Sequence, residues 1–276
     1  MVHITKKNRS LLHMKIFISA DIEGVTGVTQ WEETEHGGKD YEMARRQMSL
    51  EAAAACEAIL EAGHTVVIRD AHNDACNILP DLLPEGTELI RGWMCHPASM
   101  MAGIDESFDA AMYIGYHSAA FTNTSPLAHT TNLKRYNYIK INDRIASEFT
   151  INSLWADLCG IPSIYLSGDE GICGTAKEEY PGIVTTAVKK GIGSGTWNMH
   201  PKAAIRQIKE DVAGTLGMAH SLRESSDHYV LEIQYKSHMD ARSASWYPGV
   251  TQLDAHTVRF ESKRFYDVRV AMSFIG

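Results

Sequence analysis

The chain has 276 residues, of which 44% are hydrophobic and 22% are charged, and its 26 basic and 34 acidic side chains give a net charge of −8. These proportions are those of a folded globular protein of one or two domains, and they exclude disordered, collagen-like and coiled-coil classes. The negative charge and the lack of a basic stripe argue against nucleic acid as a partner, because the phosphate backbone is bound largely by clustered lysines and arginines.

The sequence shows no segment for membrane insertion or secretion. No stretch approaches the roughly 18 to 20 apolar residues that cross a membrane, and the apolar segment around Leu11 is too short for the core of a signal peptide. We therefore expect a cytoplasmic protein without a membrane partner. Residues 1–13, which include the basic run from Lys6 to Arg9, are expected to form a flexible N-terminal extension.

The first two thirds of the chain alternate strand and helix patterns. An alanine-rich segment, Tyr41–Ala62, is followed by Gly63 and predicts a helix with a glycine stop. A second helix is predicted from about Ala146 to Leu158. Four short apolar runs end in polar clusters and are typical of buried parallel strands, namely Lys15–Asp21, Val66–Asp70, Ala110–Tyr116 and Ile161–Asp169. The alternation predicts an α/β fold with a layered, mostly parallel sheet flanked by helices.

The sequence pattern changes from about Gly191. The glycine-rich run Gly191–Gly195 is interpreted as a linker. A helix and two half-exposed strands are predicted after it, at Pro201 to about Gly217, His228–Lys236 and His256–Lys263. We therefore predict an α/β metal-binding domain over residues 14–195 and a smaller α+β domain over residues 196–276.

The cysteine pattern indicates neither a disulfide framework nor a thiolate zinc site. The five cysteines are odd in number and none is spaced as CxxC. Cys173, within Gly171–Gly174, is a nucleophile in principle, but a small residue in a glycine-rich turn is the favoured interpretation.

Acidic side chains and histidines follow three of the predicted strands. Asp21 and Glu23 follow the first strand, His72 follows the second and His117 follows the third. Ligands of an open α/β sheet bind beyond the carboxyl ends of its strands, so these groups are expected at one edge. Two carboxylates that leave a strand end on the same side repel each other, and carboxylates beside imidazoles suit zinc or a similar divalent ion. The strand ends therefore predict a metal site.

Structural roles compete with this interpretation. An aspartate at a strand end is often a helix cap or a turn former, and for Asp21 or Asp70 taken alone that role is favoured. Glu23 has no nearby lysine or arginine in the sequence to pair with it. A structural role explains Glu23 less well.

Two further candidates follow the third strand. His129 lies in a Ser/Thr/Asn-rich loop twelve residues after His117 and is expected over the same edge. Glu148 opens the second predicted helix, where a carboxylate can simply complement the helix dipole. Motifs of other enzyme classes are absent, because the sequence contains no GxGxxG after the first strand, no GxxxxGK[ST], no HExxH and no GxSxG.

Five blocks together resemble the M55 metallopeptidases, the D-aminopeptidase family once labelled dipeptide-transport proteins. The resemblance spans about residues 14–190, with a looser match in the C-terminal part. Each block alone is weak, but the set is specific because the blocks follow the family's order. They are Ser19–Gly27, Arg69–His72, Gly115–His117, the loop that ends in His129, and Ile141–Glu148.

The resemblance implies a centre of two zinc ions. In the family, the counterpart of Asp21 bridges both ions, which implies the same role here. Glu23 and His72 would complete one ion, and His117 and Glu148 would complete the other.

The resemblance also implies an activity and an assembly. The family's catalytic histidine corresponds to His129, which would carry protons during hydrolysis of the first peptide bond of a short peptide with a free amino terminus, preferably after a D-amino acid. The implied homo-oligomer is a ring decamer whose active sites face an inner chamber and admit short peptides. One departure is Ala119, where the family commonly has an arginine two residues after the histidine that matches His117.

Two other functions remain open at this point. One is a dinuclear metal hydrolase of another amide, an ester or a phosphate, because the sequence does not place the residues of the pocket wall. The other is a non-enzymatic peptide-binding or transport-associated protein. That second function does not require five metal-type ligands, and an extracytoplasmic binding protein would be expected to carry a secretory leader.

Overall fold

The computed structural model describes residues 13–276, which form two β sheets and the helices packed on them. The predicted extension of residues 1–13, except for His13, lies outside the described residues. The strands are β1 (Lys15–Ala20), β2 (Thr65–Asp70), β3 (Thr87–Ile90), β4 (Ala110–Tyr116), β5 (Tyr136–Ile141), β6 (Arg144–Ile145), β7 (Ser163–Asp169), β8 (Val184–Ile192), β9 (Gly195–Asn198), β10 (Tyr229–Tyr235), β11 (Val250–Gln252) and β12 (Thr257–Ser262). The α helices are α1 (Tyr41–Glu61), α2 (Glu148–Leu158), α3 (Glu170–Glu179), α4 (Pro201–Leu216), α5 (His238–Ala244) and α6 (Phe265–Ile275).

The larger sheet has seven strands in the order β3-β2-β1-β4-β7-β8-β9. All neighbours pair in parallel except β9, which pairs antiparallel to β8. β4 and β7 are buried along their whole length, as expected for strands covered on both faces. The predicted mostly parallel sheet flanked by helices is confirmed, and the four predicted strands are β1, β2, β4 and β7.

The strand order reverses at the pair formed by β1 and β4. The chain runs outward from β1 through β2 to β3, returns to β4 on the other side of β1, and continues outward to β7 and β8. A crevice opens at the carboxyl ends of strands where the order reverses in this way. Asp21 follows β1 and His117 follows β4, so the topology brings these two side chains to the same crevice.

Local sequence signals explain where the predicted helices begin and end. α1 ends one residue before Ala62, and Gly63 then adopts a left-handed φ of 80° that a residue with a side chain rarely takes. The Ser147 hydroxyl caps α2 by accepting a hydrogen bond of 3.0 Å from the Thr150 backbone N–H. This cap makes Glu148 the first residue of α2.

Two apolar layers cover the two faces of the larger sheet. Because side chains alternate along a strand, Ile16 and Ile18 enter one layer and Phe17 enters the other. α1 and α4 close the first layer, and α2, α6 and the second sheet close the other. Each face of the site-bearing sheet is therefore fixed by a packed core.

The second sheet has the order β11-β12-β10-β5-β6 and is antiparallel. β10 alternates buried and half-buried residues, and the two predicted half-exposed strands correspond to β10 and β12. The sheets do not change over at residue 195, because β5 and β6 belong to the second sheet whereas β9 belongs to the first. Division of the chain into two domains at that position stays a prediction.

Two local interpretations are wrong. The glycine run Gly191–Gly195 is a tight hairpin between β8 and β9, in which Ile192 pairs with Gly195, rather than a linker. Cys173 lies inside α3 rather than in a turn, and burial raises the pKa of its thiol to about 12. That thiol stays protonated at neutral pH, so a nucleophilic role gains no support.

The helices of the described residues include none that is long and apolar enough to cross a membrane.

Candidate metal centre

The two carboxylates after β1 are held against the end of β4 by backbone contacts. The Asp21 N–H donates to the Ile114 carbonyl at 2.8 Å, and the Gly24 N–H donates to the Gly115 carbonyl at 2.8 Å. A Cβ atom on Gly24 would lie 1.8 Å from the Tyr116 carbonyl oxygen, so only glycine permits this approach. The glycine in the sequence block Ser19–Gly27 therefore has a steric reason.

The six candidate side chains meet at this edge of the sheet, and all are buried. Their exposed fractions are 9% or less. The group consists of Asp21, Glu23, His72, His117, His129 and Glu148. The sequence-based expectation that these residues converge agrees with the geometry.

The Asp21 carboxylate lies between two histidines and turns one oxygen toward each. Its Oδ1 is 3.1 Å from His72 Nδ1, and its Oδ2 is 3.5 Å from His117 Nε2. Glu23 Oε2 is 3.1 Å from the same His72 nitrogen, and Glu148 Oε2 is 3.4 Å from the same His117 nitrogen. Two sets of one imidazole and two carboxylates thus share Asp21.

His129 lies beside the second of these sets. Its ring stacks on that of His117 with centroids 4.2 Å apart and planes 5° apart, and its Nε2 is 3.6 Å from Glu148 Oε1. The ligand atoms of His117, His129 and Glu148 all lie within 4.8 Å of one another, as do those of Asp21, Glu23 and His117. The geometry therefore permits His129 either to bind an ion or to act on a molecule next to one.

Each of the three histidines has its outer nitrogen bound to a backbone carbonyl. His72 Nε2 donates to Thr34 O at 2.7 Å, and the Nδ1 atoms of His117 and His129 donate to Ser118 O and Leu127 O, both at 3.0 Å. A carbonyl only accepts, so the proton sits on the outer nitrogen and a neutral ring directs its lone pair into the site. Metal-binding histidines have this arrangement in most proteins.

The charges of the site favour a cation at its centre. Burial by itself opposes the charged forms of His72 and His117, but the facing carboxylates outweigh it and raise the pKa of both imidazoles well above the usual range. Burial likewise opposes ionisation of Asp21, yet the two histidines hold its pKa well below the usual range. In the metal-free chain protons supply positive charge that a divalent ion would otherwise supply.

Two buried atoms support the fit to a metal. Glu23 Oε2 and His117 Nε2 are shielded from water, and neither has a hydrogen-bond partner among the described residues. Burial of a polar atom without a hydrogen-bond partner costs free energy. Here both atoms face other ligand atoms, and a bound metal ion would be the partner that they lack. Carboxylate oxygens and imidazole nitrogens are the donor atoms of zinc sites, so these residues fit that ion.

Residues that sequence reasoning did not select hold the ligand-bearing loops. Asp169, at the end of β7, accepts hydrogen bonds from the Ser118 backbone N–H at 2.8 Å and from the Ser118 hydroxyl at 2.5 Å. The Ser118 carbonyl in turn accepts from the His117 ring and from the His129 backbone N–H. The strand-end argument that selected Asp21 applies equally to Asp169 and was the available signal.

The turn-forming role favoured for Asp70 is confirmed by its hydrogen bonds. Its carboxylate accepts hydrogen bonds from the backbone N–H groups of Asn77 and Ile78, at 2.5 and 2.7 Å, and from the Asn77 side chain at 2.9 Å. The Asn77 side chain also donates to the His72 carbonyl at 2.6 Å. Asp70 thereby shapes the loop that carries His72.

Lys189 of β8 ties down the loop that carries Asp21 and Glu23. It is buried, and its Nζ donates to the carbonyls of Glu23 and Val28, both at 2.5 Å. Burial lowers the pKa of Lys189 to about 8, although the nearby Asp169 and Glu51 oppose that shift. No sequence signal selected this residue, because β8 was not among the predicted strands.

The site opens into a cavity of about 350 Å³. Trp31 lies at its wall with its indole edge-on to the His129 ring, at a centroid distance of 5.1 Å. Three residues of the wall have left-handed backbone, namely Asn73, Ser99 and Thr131, with φ of 47°, 52° and 59°. Left-handed backbone is unfavourable for a β-branched residue such as Thr131, and strained residues cluster at functional sites. In this conformation the backbone N–H of Thr131 donates a hydrogen bond to Glu148 Oε1 at 2.7 Å.

Comparison with known proteins gives consistent matches. A family model of peptidases described as D-aminopeptidase matches residues 14–274. A D-aminopeptidase of Bacillus subtilis (strain 168) is 29% identical over 264 residues, which cover 94% of this chain and 95% of the relative. A solved structure, described as the Zn-dependent D-aminopeptidase DppA from Bacillus subtilis, a self-compartmentalizing protease, aligns with a TM-score of 0.89 and 28% identity, over 95% of this chain and 96% of that chain.

Proposed function

The chain belongs to the M55 family of D-aminopeptidases, and we propose that it is a zinc-dependent enzyme that removes D-amino acid residues from the amino terminus of short peptides. The function rests on one observation above the others. The two oxygens of Asp21 face two different histidines, and each histidine also faces a second carboxylate. That geometry suits two divalent ions that share one bridging carboxylate.

We propose these residues as the metal ligands. Glu23 and His72 would complete one ion with Asp21, and His117 and Glu148 would complete the other. Two zinc ions bound there would supply the Lewis acidity that activates water and polarises a scissile carbonyl.

His129 is proposed as the proton carrier. Its Nδ1–H is held by the Leu127 carbonyl, which leaves Nε2 free to accept a proton at the site. Stacking on His117 and edge contact with Trp31 fix the plane of the ring. The ring can therefore take a proton from the attacking water and deliver it to the leaving amine, because an imidazole exchanges protons in both directions near neutral pH.

The competing functions receive less support. A purely peptide-binding protein has no need of a buried set of five metal-type ligands, and the family is one of peptidases. A dinuclear hydrolase of esters or phosphates would use the same ions. It would differ from the proposed aminopeptidase only in the substrates that it hydrolyses. The decisive experiment must therefore compare substrates.

We propose a cytoplasmic ring decamer as the assembly. Its support is the self-compartmentalizing relative, together with large apolar side chains that are exposed in the single chain, such as Trp197 at 67%, Trp246 at 73% and Phe274 at 73%. Light scattering during gel filtration should give ten times the chain mass of 30.6 kDa. A monomer or dimer at micromolar concentration would contradict the decamer.

The function is tested by metal analysis paired with turnover. We expect about two zinc ions per chain and hydrolysis of D-alanine amide and D-alanyl peptides, with loss of turnover on chelation, recovery on adding zinc, and slower hydrolysis of the L-isomers. Asp21→Ala should lose both ions, because Asp21 is the ligand shared by the two sets. If the protein binds zinc but hydrolyses no amide, the aminopeptidase function is contradicted. If Asp21→Ala still binds two zinc ions per chain, the bridging role of Asp21 is contradicted.

A further inference from the structure

The wall of the cavity carries a basic side chain that the proposed mechanism does not use. Lys134 is the one lysine or arginine among the described residues that line the cavity. It is exposed, and it forms no ion pair within the part of the chain that the structure describes. Its ammonium group is therefore available to an anion that enters the cavity.

The backbone around Lys134 is fixed relative to the candidate metal centre. The Thr131 N–H donates to Glu148 Oε1 at 2.7 Å. Asn132 then forms a turn, in which its side chain accepts from the Lys134 N–H at 3.0 Å and its carbonyl accepts from the N–H groups of Arg135 and Tyr136. β5 begins at Tyr136, so the turn is anchored at both ends.

The remaining charges of the wall determine where an anion can lie. The carboxylates of Asp21, Glu23 and Glu148 would be compensated by two divalent ions. Glu35 lies on a separate segment after the 3-10 helix Trp31–Thr34. Among the described residues of the wall, it is the other charged side chain outside the six candidates. It repels a carboxylate and attracts an ammonium group, so Lys134 marks the part of the wall that suits a carboxylate.

We propose that Lys134 binds the free C-terminal carboxylate of a short peptide whose first peptide bond lies at the metal centre. The inference rests on the proposed function and narrows it to short peptides with both ends free, in preference to peptide amides. A cavity of about 350 Å³ is near the lower end of small-molecule sites, which suits a peptide of a few residues.

The test compares a substrate with its own amide. Zinc-loaded full-length wild type is assayed with alanyl-alanine and alanyl-alanine amide, of the chirality that it accepts. We expect KM to be roughly two- to fivefold lower for the free acid, as for a partly exposed ion pair. Lys134→Met should raise KM for the free acid until the two substrates are equal, with kcat nearly unchanged, whereas Lys134→Arg should keep most of the preference.

Controls separate this proposal from the function on which it rests. Lys202→Met removes an exposed lysine at the start of α4, outside the cavity wall, and should leave the preference unchanged. Calorimetric titration of the zinc-loaded His129→Ala variant, which is expected to keep its zinc and to lose turnover, compares the binding of alanyl-alanine and its amide. Equal binding of both by His129→Ala, equal KM values in wild type, or a preference that survives in Lys134→Met would overturn the carboxylate site. Hydrolysis of neither substrate by wild type, with the binding preference present, would overturn the aminopeptidase and leave the carboxylate site in place.

Discussion

Three histidines of the candidate metal centre share one local arrangement, but their inner nitrogens face different groups. His72 and His117 each face two carboxylates, as a metal ligand does. His129 faces a single carboxylate oxygen, 3.6 Å from its Nε2, and lies on the cavity side next to Trp31. This difference favours the proposed role of His129 in proton transfer over a role as a metal ligand.

Replacing His129 by alanine tests that assignment. We expect His129→Ala to keep its zinc and to lose turnover by a factor on the order of 10² to 10⁴, the usual contribution of a positioned acid–base group. Zinc per chain and kcat are measured on the same preparation. His228→Ala, at an exposed histidine that pairs with Glu261, serves as the control and should match wild type. Loss of one ion in His129→Ala would instead make His129 a ligand.

Glu51 of α1 is a buried carboxylate that gives a pH-dependent prediction. It is fully buried, Oε1 accepts hydrogen bonds from the Thr26 N–H and the Gln47 side chain, and Oε2 has no partner among the described residues. Burial raises its pKa to about 7, despite the opposing effect of those hydrogen bonds and of Lys189. Between the unfolded value of about 4.5 and the folded value, only the folded chain holds the proton, so the free energy of unfolding falls as pH rises through that window.

Glu51→Gln removes this dependence. Relative to wild type, the variant should gain about 3 kcal/mol in free energy of unfolding between pH 4.5 and pH 8, since burial of the charged form no longer opposes folding. Urea unfolding at both pH values, under the same zinc conditions, measures the gain. Glu42→Gln, at an exposed position of the same helix, should show no such change. A pH-independent effect of Glu51→Gln would contradict the raised pKa.

At the scale of the elements, β8 supports the loop between β1 and α1 although it contributes no candidate ligand. The ammonium group of Lys189 donates hydrogen bonds to the carbonyls of Glu23 and Val28. These carbonyls lie outside the strands, so they have no strand partner to supply a donor. Neighbouring β7 holds the loop after β4 through Asp169. Asp169 and Lys189 are paired in register, so neighbouring positions on β7 and β8 anchor both ligand-bearing loops.

Lys189→Met is expected to weaken both folding and zinc binding. Methionine fills similar space but cannot donate, so two buried carbonyls lose their partner, at a cost of about 3 kcal/mol in free energy of unfolding. Zinc affinity, measured by competition with a chelator, should fall because Glu23 is no longer held in place. Lys190→Met, at the exposed neighbour on β8 that contacts Trp197, is the matched control. Unchanged zinc affinity in Lys189→Met would exclude the positioning role.

Sequence patterns predict some of these elements and miss others for identifiable reasons. The strands β1, β2, β4 and β7 are continuous apolar runs that end in polar residues, so their position and the residues after them can be read from sequence. β8 contains Lys189 and Lys190 within Val184–Ile192 and does not look apolar, because its buried lysine is solvated by carbonyls that are distant in sequence. The sequence patterns also do not predict β5, nor the turn before it that places Lys134.

At the scale of the whole molecule, removal of zinc should lower stability in a pH-dependent way. At free zinc about 1,000 times Kd, each ion adds about 4 kcal/mol, so chelation should lower Tm by on the order of 10 °C. In the metal-free chain the raised pKa values of His72 and His117 contribute stability that is present below about pH 6.5 and lost as pH rises through the folded values. The difference in Tm between zinc-loaded and chelated protein should therefore widen as pH rises.

Scanning calorimetry at pH 6 and pH 8, with and without chelator, measures this difference. Asp21→Ala, which lacks the shared ligand, should unfold at the same temperature with and without chelator. If the difference in Tm between zinc-loaded and chelated wild type narrows toward pH 8, protons do not stabilise the metal-free site in place of zinc.

The path of the chain between the two sheets also sets the order in which the site can form during synthesis. His129 and Glu148 lie on either side of β5 and β6, and β5 pairs with β10 of the C-terminal region. At ribosomal rates of about 5 to 20 residues per second, β10 follows Glu148 by roughly 4 to 17 s. During that interval the nascent chain carries all six candidate side chains, but the hairpin that joins His129 to Glu148 has no strand to pair with. Zinc capture is thus expected to follow the synthesis of β10 rather than to guide the folding of the chain that precedes it.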